Sequence, residues 1–242
     1  MYIINLTSIS SFPAAIGKTW LSRCDLTSLA DIEKAAKSVY PVINPRSKGF
    51  VRNLPGDAHV SVLLHIAKRI WEYFNLEPNT PNTQTNFDAF HEDLCRDFLS
   101  RMNGLRSNFG LPNFTYGIAQ KYVNMLFKYL ACFGNYSKFA DLFSYCHIPI
   151  DRQILSAFKA LSVPNVKNGQ YKGKNWSGLS YADYHDLLDE YRKVLAPLMS
   201  KHPWLAFDFV GWMRGAKFSC ATVGSCFLKP GTSAITFSGF FR

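Results

Sequence analysis

Three observations predict an all-α fold. Apolar residues recur at helical spacing over most of residues 25 to 213, and runs alternating with period two are few and short. Apolar residues make up 48% of the 242-residue chain and charged residues only 18%, so a sizeable core can be buried and a disordered basic tail is excluded. With no internal repeat and no sharp shift in composition, residues 1–214 read as one helical unit followed by a tail at 215–242.

The elements follow in order. Asp25 to Ser38 has the pattern of a short amphipathic helix, closed by Tyr40-Pro41. A second helix runs from His59 to Phe74, with Asp57 as its N-cap. Glu77 to Asn86, rich in Pro, Asn and Thr, reads as a loop. A third helix from Phe87 to about Met102 places Phe87, Phe90, Leu94 and Phe98 on one face. After a turn-rich piece, Asn103 to Asn113, the helix Thr115 to Phe133 is apolar around most of its girth and is therefore expected at the centre. Tyr136 to Ser144 forms a short helix. Ile148-Pro149-Ile150-Asp151 then opens another that reaches Leu161. Residues 162–178 read as a Gly/Asn/Lys loop. Ser180 and Asp183 form a capping box for a long helix that Pro197 kinks or ends. His202-Pro203 starts a last helix to Met213.

A formal charge of +10 favours a polyanionic partner, nucleic acid first, because phosphate neutralisation releases condensed counterions. Solubility alone is the competing explanation. The longest apolar run is far short of the roughly 20 residues that span a bilayer, and no signal peptide is legible at the start, so a soluble cytoplasmic protein without a membrane partner is expected. The six cysteines stand singly, without metal-ligand spacing, and are expected to be reduced thiols.

Two segments carry candidate chemistry. Gly117 stands immediately before a buried helix, where it allows close backbone approach, and Lys121 lies in that helix's first two turns. Lys121 shares a stripe with Ile118, Met125 and Lys128. A partly desolvated Lys gives up its proton more readily and becomes a usable amine nucleophile, whereas a snorkelling Lys does not. Thirty residues later, Asp151 is either a simple N-cap or a carboxylate delivered to a site. His147, four residues before it, is the most notable histidine.

Gly117-Ile118-Ala119-Gln120-Lys121 and Ile148-Pro149-Ile150-Asp151 together resemble the helix-hairpin-helix DNA glycosylase superfamily. Its hairpin has the form Gly-hydrophobic-Gly-x-Lys, followed by a hydrophobic-Pro-hydrophobic-Asp segment. Ala119 departs from the second Gly, and the iron-sulfur cysteine cluster of some relatives is absent. The Lys-to-Asp spacing resembles that of the archaeal 8-oxoguanine glycosylase branch. The resemblance implies two helical lobes with a DNA-binding cleft, Lys121 as nucleophile at the deoxyribose anomeric carbon, and Asp151 as its catalytic partner. It implies no metal and no organic cofactor, and a monomer acting on double-stranded DNA that contains a modified or damaged base.

Asp208 and Trp212, four apart on one helix face, would bind the flipped base by hydrogen bonding and stacking. The archaeal branch has a similar arrangement. Phosphate contacts are expected from Gly117, Ala119 and Gln120 of the hairpin and from basic loops at Arg46 to Arg52, Arg101 to Arg106 and Lys167 to Lys174, in particular Arg46, Lys48, Arg52, Lys172 and Lys174. The activity so implied is base excision leaving an abasic site, with lyase activity if Lys121 forms a Schiff base. The substrate expected is a phage hypermodified cytosine, such as glucosylated hydroxymethylcytosine, removed in antiviral defence, with Asn165 to Asn175 facing the sugar. An 8-oxoguanine-type DNA repair glycosylase is the alternative, and a non-catalytic DNA-binding module is the alternative of another class.

Overall fold

The computed structural model of the chain describes residues 12–43, 54–75 and 83–199; for 197–199 it describes the backbone only. The helical class holds. Helix α1 is Leu29–Val39, α2 Val60–Asn75, α3 Gln84–Asn108, α4 Tyr116–Leu130, α5 Arg152–Ala160 and α6 Tyr181–Met199. Among the described residues no helix is long and apolar enough to cross a membrane.

Each start has a local cause. Helix α1 begins later than Asp25 because Ser28 is its cap, accepting from the Asp31 amide, while Asp25 closes the preceding turn on Thr27. Helix α2 starts from His59, whose carbonyl accepts from Leu63 N at 3.2 Å; Asp57, expected as the N-cap, stands instead in the turn before it, its carbonyl accepting from Val60 N at 2.8 Å. Thr83 caps α3, shortening the expected loop. A 3-10 turn, Tyr136–Phe139, and the helical turn Ala140–Phe143 stand where one short helix was expected. Ser180 and Asp183 form the full capping box: Asp183 N donates to Ser180 Oγ, and Ser180 N donates back to Asp183 Oδ2 at 2.9 Å. Burial lifts the Asp183 carboxyl, but hydrogen bonds from Lys174 and Ser180 outweigh it and hold the group at about 2.

Two expectations are corrected. Helix α3 continues six residues past Met102, so Arg101 and Arg106 are helical rather than part of a basic loop. Arg106 is buried, donating from Nε to Pro112 O with its guanidinium over the Phe114 ring, and Arg101 pairs with Asp97 at 2.6 Å. The Asn and Gly of that piece resemble turn chemistry, yet Met102 and Arg106 keep the buried i, i+4 rhythm. Residues 162–178 are not wholly loop: Val166–Lys167 and Gln170–Tyr171 pair antiparallel about Asn168-Gly169, both at positive φ. A second reversal at Lys172-Gly173, again with positive φ, bridges Tyr171 to Lys174. Asn-Gly with this backbone suits a two-residue hairpin turn. Helix α6 runs to Met199, past Pro197, a difference within the variation of helix ends.

Helix α4 is the hub. It packs against α1, α3, α6 and the 3-10 turn Trp176–Gly178, and all its residues except Met125 are buried. The hairpin rests on α5. Cys24, Cys95, Cys132 and Cys146 are buried free thiols, while Cys220 and Cys226 lie outside the described residues.

Candidate active site

A helix enclosed on every side should be apolar, but α4 carries Gln120, Lys121, Asn124 and Lys128, all buried. Each such group costs about 1–3 kcal/mol if its partners are missing, so the partners define the site. They come from the segment 147–151, from α6, from His91 of α3, from Trp176 and, for Lys128, from the Phe12 ring.

Thr115 anchors the start of α4. Its Oγ1 accepts from Ile118 N and donates to Ser177 O, and Gly117 N donates to Leu179 O at 2.9 Å. A Cβ at Gly117 would stand 2.0 Å from Trp176 O, so only glycine admits the Trp176–Leu179 backbone at this distance. That contact lays the Trp176 indole over the next turn of the helix.

There Lys121, 8% exposed, places Nζ 4.4 Å from the Trp176 ring centroid and 3.5 Å from Asp151 Oδ2. The two oxygens of Asp151 have different tasks. Oδ1 caps α5, accepting from Gln153 N at 2.9 Å and Ile154 N at 3.0 Å, and Oδ2 faces the ammonium. Asp151 is thus the N-cap the sequence offered, and capping leaves its second oxygen free to face Lys121. With the Asp151 side chain 28% exposed, the pair is reached from that flank.

Behind the pair lies a continuous polar network. Asn124 accepts from His91 Nε2 at 2.7 Å and donates to Ile148 O and to Tyr184 Oη, both at 3.2 Å. Tyr184 Oη in turn meets His147 Nδ1 at 2.9 Å, and His147 Nε2 meets Asp88 Oδ1 at 2.7 Å. Arg192 grips Asp88 with two bonds, at 2.7 and 2.9 Å. One proton arrangement satisfies the chain: Tyr184 donates to Nδ1 and a neutral His147 donates from Nε2 to ionised Asp88.

The electrostatics agree with it. Burial drives His147 down to about 4 despite Asp88, with Arg192 and His185 also opposing its charge. Burial alone would raise the Asp88 carboxyl, yet the bonds from Arg192 and His147 hold it well below the usual carboxylate range. His147 binds its proton more readily in the unfolded chain than in the folded one. Stability from this group is therefore present above pH 6.5 and falls as pH drops from about 6.5 toward 4, at up to about 1.4 kcal/mol per pH unit. Urea midpoints of wild type and His147→Gln should converge across that window; parallel curves would refute the assignment.

The hairpin expectations divide. Ala119 and Gln120 are enclosed by protein, and the Gly117 amide is committed to Leu179. Lys172 and Lys174 are exposed on the hairpin, paired with Asp186 at 2.6 Å and Asp183 at 2.7 Å. The Lys172–Asp186 pair is open to solvent on both sides and weakly held, so a phosphate can displace that carboxylate, whereas the Asp183 carboxylate paired with Lys174 is buried. Arg46, Lys48, Arg52, Asp208 and Trp212 lie outside the described residues. Trp176 was not foreseen. Its only signal was an aromatic near the end of a Gly/Asn/Lys stretch, with no period linking it to Lys121 fifty-five residues earlier. Among the described residues no cluster of three His, Cys, Asp or Glu side chains could hold a metal ion. In comparisons with known proteins, no family model, no curated protein and no solved structure matches the chain.

Proposed function

We propose that the chain is a DNA glycosylase with abasic-site lyase activity, and that Lys121 and Asp151 carry the chemistry. The supporting observation is the convergence of an almost fully buried Lys121, the Asp151 carboxylate 3.5 Å away and the Trp176 indole face at 4.4 Å. Desolvation lets a lysine serve as a nucleophile once a neighbouring carboxylate has accepted its proton. Phosphate contact at the start of α4, which a glycosylase and a non-catalytic DNA-binding module would both use, needs free backbone N–H groups there, and only the glycosylase needs Lys121 and Asp151. The Gly117 amide is already bonded within the protein.

In this reading the duplex is bent and one nucleotide extruded, at a cost of about a few kcal/mol that is least for a weakened pair. Asp151 Oδ2 takes a proton from Nζ, and the neutral amine attacks the anomeric carbon. A C–N bond forms, the glycosidic bond breaks and the base departs with a proton. The ring-opened Schiff base then eliminates the 3′ phosphate, and water releases Lys121. Trp176 supplies an aromatic face beside the reacting carbon. Lys172 and Lys174, with exposed Arg152 and Lys167, supply positive charge for the DNA backbone. The base is one that is modified, with phage-type glucosylated hydroxymethylcytosine and 8-oxoguanine as the two substrate classes to separate.

The test offers duplexes carrying oxidised, alkylated or phage-modified bases, reads released bases by mass spectrometry and adds borohydride. The expected result is release of one base class and a covalent protein–DNA adduct that Lys121→Gln abolishes. An adduct retained by Lys121→Gln removes the lysine from the mechanism. No base release from any duplex removes the glycosylase reading.

A further inference from the structure

We propose that Gln120 is a positioning residue for the Lys121–Asp151 pair, gripping the backbone of Ile150 and so setting where the Asp151 carboxylate stands. Its kinetic consequence rests on the glycosylase reading; its structural consequence does not.

The segment Ile148–Ile150 belongs to no helix or strand. It must nevertheless deliver Asp151 to a fixed place, and Pro149 has no N–H with which to anchor it. Side chains of α4 take the place of a partner strand. Gln120 Nε2 donates to Ile150 O at 2.9 Å, and Ile150 N donates to Gln120 Oε1 at 3.1 Å. One carboxamide thus satisfies both backbone groups of one residue. Its orientation is fixed, because Ile150 N–H can only donate and Ile150 O can only accept.

Asn124 Nδ2 donates to Gln120 Oε1 at 3.1 Å and to Ile148 O at 3.2 Å, and Gln120 Nε2 also reaches Gly117 O at 2.8 Å. The carboxamide is therefore held at both ends. Each end of the grip lies one peptide bond from the chemistry, since Gln120 precedes Lys121 and Ile150 precedes Asp151. Gln120 is fully buried, so it touches neither solvent nor DNA and acts only through its neighbour. Releasing it lets the start of α5 drift, and a displacement of about 1 Å at a reacting group costs on the order of 100-fold in rate.

The experiment uses the full chain with Gln120→Met, which keeps volume and removes the bonds, and Gln120→Glu, which keeps the acceptor and removes the donor to Ile150 O. Single-turnover base release should fall about 10- to 100-fold in Gln120→Met with DNA affinity held within about twofold. In an Asp151→Asn background the same substitution should change the rate by less than about twofold, because its effect runs through Asp151. Independently of activity, the amides of Ile150, Gln153 and Ile154 should exchange at least about tenfold faster, with the middle of α3 still protected.

Equal rate losses in both backgrounds, affinity falling in step with rate, or unchanged exchange at Ile154 would each overturn the proposal. Gln120→Glu gives the same readings if the Met variant does not fold. If neither folds, wild-type Ile150 decides: slow amide exchange supports the grip and fast exchange overturns it. Should wild type release no base from any duplex, the glycosylase reading falls while exchange at Ile154 still judges the grip.

Discussion

Asp151→Asn should lower base release by about 10²–10⁴-fold, the usual range for a positioned acid–base group, while the protein stays folded and DNA affinity is kept. The reason is the division of labour between the two carboxylate oxygens. Asn retains Oδ1, and with it the bonds from Gln153 N and Ile154 N, because Asn and Asp are nearly equal as N-caps. What it loses is the negative charge at Oδ2 facing Lys121 Nζ. Asp151→Ala loses both, so it should be as inactive as the Asn variant and in addition less stable by about 0.5–2 kcal/mol. Base release and thermal unfolding of the two variants form the check. If activity survives in Asn and disappears only in Ala, Asp151 is a cap and nothing more, and the proposed chemistry has lost its carboxylate.

The same residue shows how much of the site was legible in the sequence. Ile-Pro-Ile-Asp before an amphipathic stretch marks a helix start by local rules, and Ser180 with Asp183 does so too, since cap and capped amide are two or three residues apart. The burial of α4 was equally readable from its being apolar around most of its girth. Its polar stripe could not be explained from the sequence. The long-range partners of Gln120 and Asn124 are backbone groups 30 and 24 residues away, a histidine 33 residues away and a tyrosine hydroxyl 60 residues away, and no period connects them. His147 stood out for its place near Asp151, yet its role is to join Tyr184 to Asp88 across elements that only folding brings together.

The hairpin at 166–171 failed to register for a different reason. With two residues per strand there is no alternation to detect, and only the Asn-Gly and Lys-Gly pairs report the reversals. The positive charge of the chain is likewise located by local contacts rather than by composition. Arg106 is buried among protein groups, whereas Lys172 and Lys174 stand on the hairpin that leads into Trp176. Charge that reads as one surplus in the sequence thus divides into a structural part and a part facing solvent beside the site.

Gly117→Ala should be the most disruptive single methyl group among the described glycines. Its Cβ would meet Trp176 O at 2.0 Å, with Trp176 C at 3.1 Å and Leu179 N at 3.2 Å. These are backbone atoms, which cannot rotate away as a side-chain tip can, so the whole Trp176–Leu179 segment must retreat. Retreat breaks the Gly117 N to Leu179 O bond and the Thr115 hydroxyl's bond to Ser177 O, and lifts the indole from Lys121. Overpacking of this kind costs about 1–3 kcal/mol and more where backbone must move. Gly104→Ala is the control: it lies inside α3 with nothing within 4 Å of the added methyl, and its helix preference should stabilise the chain by up to about 1 kcal/mol. Urea unfolding of the two variants should move in opposite directions from wild type. Activity should follow the contact rather than the stability, with base release by Gly117→Ala remaining low even at temperatures where the variant is fully folded, because the aromatic wall beside Lys121 has been displaced. A Gly117→Ala protein that unfolds with wild type and releases base at the wild-type rate would show that the close approach of Trp176 to α4 does not exist in solution.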